Sequence, residues 1–86
     1  MNETQIKSLI SLTNFKSYAK EVFDSPLNTL DMMQRIAEDC KVCMELQADL
    51  YENGCFNNAE LMAEFEKAEI QIQLYKLILA ELPKYI

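Results

Sequence analysis

The sequence predicts an all-α fold: a long antiparallel αα-hairpin over residues 26–82, preceded by one or two short helices in residues 1–24 and completed as a small helical bundle. Three observations predict it. Half of the 86 residues are apolar, yet there is one Gly and there are only two Pro, so the chain has few places to turn. Apolar residues recur at alternating four- and three-residue steps through Leu61, Phe65, Ala68, Ile72, Tyr75, Leu79 and Leu82, the period of a helix seam. Between the two long helical stretches lies only Asn53-Gly54-Cys55-Phe56, too short to join anything but antiparallel neighbours. The chain forms a single domain. At this size it buries only about 60–65% of its unfolded surface, so a second copy or a partner protein is expected.

The N-terminal segment starts with a helix from Asn2 to about Leu12, whose Ile6, Leu9 and Ile10 share one face. Thr13-Asn14 breaks it, because both residues prefer caps and turns. A second short helix fits Phe15 to Phe23, with Phe15, Tyr18, Ala19, Val22 and Phe23 at helical steps. Whether these are one bent helix or two, the residues leave open. Ser25 is an N-cap with Pro26 at the first helical position, where a missing N–H costs nothing extra. The helix it opens runs to about Glu52, and Gly54 ends it by taking the left-handed conformation.

Leu30, Met33, Ala37, Cys40, Met44 and Tyr51 form the main apolar stripe of this middle helix, with Ile36, Cys43 and Leu50 beside it. Gln47 falls inside the stripe, where a polar residue sets register. Cys55 and Phe56 plug the closed end of the hairpin. The last helix is capped by Asn57 with Glu60 three residues on, and it ends at Leu82, where Pro83 opposes a helical predecessor.

Charge narrows the function classes. The net charge is −6, from 14 acids against 8 bases and no His, with no basic stripe for a phosphate backbone, so no direct nucleic-acid contact is expected. The longest apolar run, Leu77-Ile78-Leu79-Ala80, is far short of the ~20 residues a bilayer needs. A cytoplasmic protein that meets a membrane only through a partner is the expectation. Cys40-Lys41-Val42-Cys43 has the spacing of zinc and redox sites, but Cys55 supplies only a third thiol and no His completes a tetrahedral set. Core packing is the reading for these cysteines, with no metal and no cofactor. With no Gly-rich phosphate loop, no nucleophile elbow and no His to act as base, the chain reads as non-catalytic.

The candidate binding residues are those the hairpin cannot cover. Ile70, Leu74, Leu77 and Ile78 lie off the seam of the last helix and make its final turns apolar nearly all round. One hairpin partner covers one side. The N-terminal segment, a second copy or another protein has to cover the other, and these four residues are the expected protein-binding surface.

Three stretches carry a resemblance: Ile6-Lys-Ser-Leu-Ile-Ser-Leu-Thr-Asn-Phe15, Leu30-Asp-Met-Met-Gln-Arg-Ile36 and Leu74-Tyr-Lys-Leu-Ile-Leu-Ala-Glu-Leu-Pro-Lys-Tyr85. In these, and in size and acidity, the chain resembles the rIII lysis-inhibition accessory proteins of T-even phages, which are small cytoplasmic antiholins. The resemblance implies binding to the cytosolic part of a phage holin and a delay of lysis. It carries no motif that assigns contact residues. Two other functions fit the composition: an acidic inhibitor of a host nucleic-acid-processing or defence enzyme, and a structural homo-oligomer.

Overall fold

Three N-caps and one glycine set the frame of the structure, a computed structural model that describes Met1–Ile86. Helix α1 spans Glu3–Ile10. Its cap is reciprocal: the Gln5 N–H donates to Asn2 Oδ1 and the Asn2 N–H donates to Gln5 Oε1, each at 2.9 Å. Helix α2 spans Pro26–Glu52, opened by the Ser25 hydroxyl, which accepts the Asn28 N–H at 3.2 Å. Gly54 then takes φ 73°, and its N–H closes on the Tyr51 carbonyl at 3.1 Å. Helix α3, Ala59–Glu81, runs back antiparallel to α2. The fold is therefore all-α with a helical hairpin at its centre, and no strand forms.

Three boundaries differ from the sequence expectation. The cap of α3 is Asn58 rather than Asn57, because Cys55–Asn57 form a 3₁₀ turn that keeps Asn57 outside the helix. Asn58 Oδ1 accepts the N–H groups of Glu60 and Leu61 at 2.9 and 3.2 Å. Pro83 does not push Leu82 out of the helical region: Leu82 sits at φ −56° and ψ −39°, and the chain tightens into a 3₁₀ turn over Leu82–Tyr85. Pro83 is at the start of that turn, where its absent N–H has no partner to lose.

The third difference is in the N-terminal segment. Phe15–Phe23 is not a helix but a strap of tight turns with one 3₁₀ turn at Lys16–Tyr18. Successive N–H groups reach back three residues, Tyr18 to Phe15, Glu21 to Tyr18 and Asp24 to Glu21. Side chains from α2 take up the strap's last carbonyls and tie it to the hairpin: Asn28 Nδ2 donates to Glu21 O at 2.8 Å and Thr29 Oγ1 to Val22 O at 2.7 Å. Residues 1–24 thus hold one short α-helix, within the one or two expected, and a strap in place of the second.

Strap and α1 lie across the open end of the hairpin. There Ile6, Ile10, Ala19 and Val22 join Met32, Ile36 and Cys40 of α2 and Ile72, Tyr75 and Ile78 of α3 in one buried cluster. Burial of this apolar surface at ~25 cal/mol per Å² is the main favourable term in the fold. The closed end is thinner. Cys55 is fully buried there, whereas Phe56 is 58% exposed and rests edge-on against Tyr51. The molecule is elongated, 46 × 20 × 18 Å.

Helix α2 is turned relative to the face its main stripe predicts. Thr29, Met32, Ile36 and Cys40 are its buried residues, followed by half-buried Cys43, Gln47 and Leu50. Leu30, Met44 and Tyr51 are 45, 49 and 63% exposed, and Ala37 is exposed as well. The inner stripe buries Met32, Ile36 and Cys40 against α1, the strap and α3, and Thr29 joins it at little cost because its hydroxyl is satisfied by Val22 O.

Candidate protein-binding surface

Helix α3 carries the four residues expected to bind, and the structure separates them. Ile70 is 69% exposed and Leu77, two turns on, is 42% exposed. Leu74 is half-buried at the edge of the core. Ile78 has no exposed surface; it packs in the cluster with Ile6 and Ile10. Ile78 is therefore a core residue and not part of a surface in this structure. The N-terminal segment covers more of the apolar excess than its length suggests, because α1 lies directly on α3 and the strap adds Ala19 and Val22. Ile70 and Leu77, with the edge of Leu74, are left as an uncovered apolar strip.

A second uncovered strip lies on α2, where the sequence reading placed core. Leu30, Ala37, Met44 and Tyr51 follow one another at seven-residue steps, and Phe56 extends the line at the closed end, 5.5 Å from the Tyr51 ring. The strap occupies the other flank of α2, where the Arg35 guanidinium stands 5.1 Å from the Tyr18 ring centroid. The signal that finds this strip was present: α2 has two adjacent apolar stripes, and one antiparallel neighbour buries only one of them.

Acidic residues border the α2 strip. Asp31, Glu38, Glu45 and Glu52 each follow a strip residue by one position, all exposed. Asp31 is paired with Arg35 at 2.8 Å, whereas Glu38, Glu45 and Glu52 take part in no ion pair. Across the helix interface, Gln47 Nε2 donates to Glu69 at 2.7 Å and also to the Phe65 carbonyl at 3.3 Å. The Gln47 and Gln73 amides hold the Glu69 carboxyl below its ordinary range, so it is charged at neutral pH. Lys41 is the one base within the strip.

The remaining polar features face inward. The Tyr75 ring is fully buried and its hydroxyl donates to the Asp39 carboxylate. Burial, and then that hydrogen bond, raise the Tyr75 pKa well above its ordinary 10.0. Cys40 and Cys55 are buried as expected of core thiols, but Cys43 is only half-buried, at the rim of an open cleft of about 250 Å³ between α2, α3 and Asn14. Burial, then the nearby Asp39 carboxylate, push the Cys43 thiol up and keep it protonated at neutral pH. The Gln71 side-chain nitrogen, on the same cleft, is buried without an acceptor. No three His, Cys, Asp or Glu side chains gather as a metal-holding group, and no helix is long and apolar enough to cross a membrane. Compared with protein-family models, curated proteins and solved structures, the chain finds no match.

Proposed function

We propose that this chain is a small non-catalytic protein-binding protein whose target is a short helical segment of another protein. The residue likeness to the rIII antiholins makes the cytosolic part of a phage holin the target to test first, with delayed lysis as the consequence of holding the holin back. One observation carries the binding reading: apolar side chains stay uncovered at helical spacing on α3, with Ile70 69% and Leu77 42% exposed beside half-buried Leu74. A helix laid along such a strip buries its own apolar face there and needs no reacting group. The acidic character, −6 in net charge, favours a basic segment next to a membrane span and disfavours direct contact with anionic lipid.

The test is titration of a peptide from the holin's cytosolic part into wild type, Ile70→Glu and Leu77→Glu. Both substituted positions are exposed, so both variants are expected to melt close to wild type while binding falls at least about tenfold, which is about 1.4 kcal/mol. Binding that is unchanged in both variants removes the α3 strip from the reading. A wild-type chain that does not bind the peptide removes the holin.

A further inference from the structure

We infer that the outer strip of α2 is a docking site for an amphipathic helix whose apolar face is bordered by lysines or arginines. The inference deepens the protein-binding reading and rests on it, but it uses a different face from the α3 strip. Leu30, Ala37, Met44 and Tyr51 repeat every seven residues, so the line they draw matches the apolar seam of a partner helix over three heptads. It runs for roughly 30 Å at about 1.5 Å per residue. Three of the four are large and close to half exposed or more. Met44, in the middle, has the flexible side chain that adapts to a partner's shape.

The borders decide the occupant. Glu38, Glu45 and Glu52 line one side, free of ion pairs, and ionised Glu69 stands on the other beside Gln47. A second copy of this chain laid on the strip brings two such acidic borders together, each with Glu38, Glu45, Glu52 and Glu69 against Lys41 and, near Glu69, Lys76. That arrangement is repulsive. A nucleic acid or an anionic lipid surface meets the same repulsion. A helix with a basic border meets complementary charge along its whole length. The apolar centre then supplies the affinity, and the charged rim supplies choice of partner, rate of encounter and salt dependence.

The experiment uses the full chain and three synthetic helices with one common apolar heptad face, bordered by Lys, by Gln or by Glu. The Lys-bordered peptide is expected to bind, to shift the amide resonances of Ala37, Met44 and Tyr51, and to weaken by about tenfold or more from low to high salt. The Glu-bordered peptide is expected not to bind. Met44→Glu is expected to abolish binding with its melting curve little changed, and Leu77→Glu to leave it intact. Glu38→Lys with Glu45→Lys, both exposed positions, should reverse the preference towards the Glu-bordered peptide. Equal binding of the Lys- and Gln-bordered peptides overturns the inference, as do undiminished binding by Met44→Glu, shifts confined to Ile70–Leu77, and a wild-type dimer that Met44→Glu dissociates. A holin peptide displaced by Leu77→Glu but not by Met44→Glu leaves the α3 reading standing while assigning the α2 strip no part in it.

Discussion

Gly54 carries the reversal of the chain at φ 73°, and a Cβ built there meets only Asn57 Nδ2, at 4.0 Å. The space is open, so the cost of a side chain is conformational. Gly54→Val is expected to lose about 1–2 kcal/mol, and Gly54→Asn clearly less, because Asn tolerates the left-handed region. Chemical denaturation of the two variants reads the difference; equal losses mean that packing, not backbone, governs the turn. Tyr75 is the other singular residue. Its hydroxyl has a charged partner in Asp39, so Tyr75→Phe is expected to cost about 1.5–3 kcal/mol at neutral pH. The native state holds this proton more tightly than the unfolded state does, since the Tyr75 pKa is raised from 10.0. The associated stability is thus complete below pH 10 and is lost as pH rises beyond it. Melting temperature should fall above that pH in wild type and fall less in Tyr75→Phe. Gly54 was legible from the sequence, because φ above zero selects for it. The Tyr75–Asp39 pair was not, since it joins positions 36 residues apart and depends on how α2 is rotated.

The rotation of α2 follows from contacts between elements, not from its own sequence signals. The bounds of α2 were readable from Ser25, Pro26 and Gly54, all local signals. Its buried face was readable in part: Ile36, Cys40, Cys43 and Leu50 turn inward as expected, but two apolar stripes compete and the line through Leu30, Met44 and Tyr51 faces out. Contacts between elements decide between them: the inner stripe packs on α1, the strap and α3, and Thr29 on that side bonds Val22 O, to all of which periodicity is blind. The same bond, with Asn28 to Glu21, ties the C-terminal end of the strap to α2. Thr29→Val keeps the shape and removes the donor, leaving the Val22 carbonyl short of a partner in a site 1% exposed. A loss of about 1–3 kcal/mol is expected, with strap amides exchanging faster with solvent. If exchange of the strap is unchanged, Thr29 does not anchor it.

For the molecule as a whole, the question is how much of its apolar excess is internal. The chain is short, and the sequence suggests that residues 1–24 are too few to cover the back of α3. They succeed at one end because α1 and the strap both pack on the open half of the hairpin, so that Ile78 and Leu82 are fully buried. They do not reach Ile70, which is 69% exposed. Two substitutions one residue apart separate the two regimes. Ile78→Glu places a carboxylate among the apolar side chains of the cluster with Ile6 and Ile10, at a cost of several kcal/mol. Against a total stability of about 5–15 kcal/mol for a domain, that is enough to unfold a chain of this size or nearly so. Leu77→Glu places the same group on the surface, 42% exposed before the change, and should shift the melting temperature by only a few degrees. Circular dichroism melts of the pair measure this directly. A Leu77→Glu chain that unfolds with Ile78→Glu means that the strip at Leu77 belongs to the core. An Ile78→Glu chain that melts like wild type means that α1 does not pack on α3, and the division between an internal and an outward face of that helix falls with it.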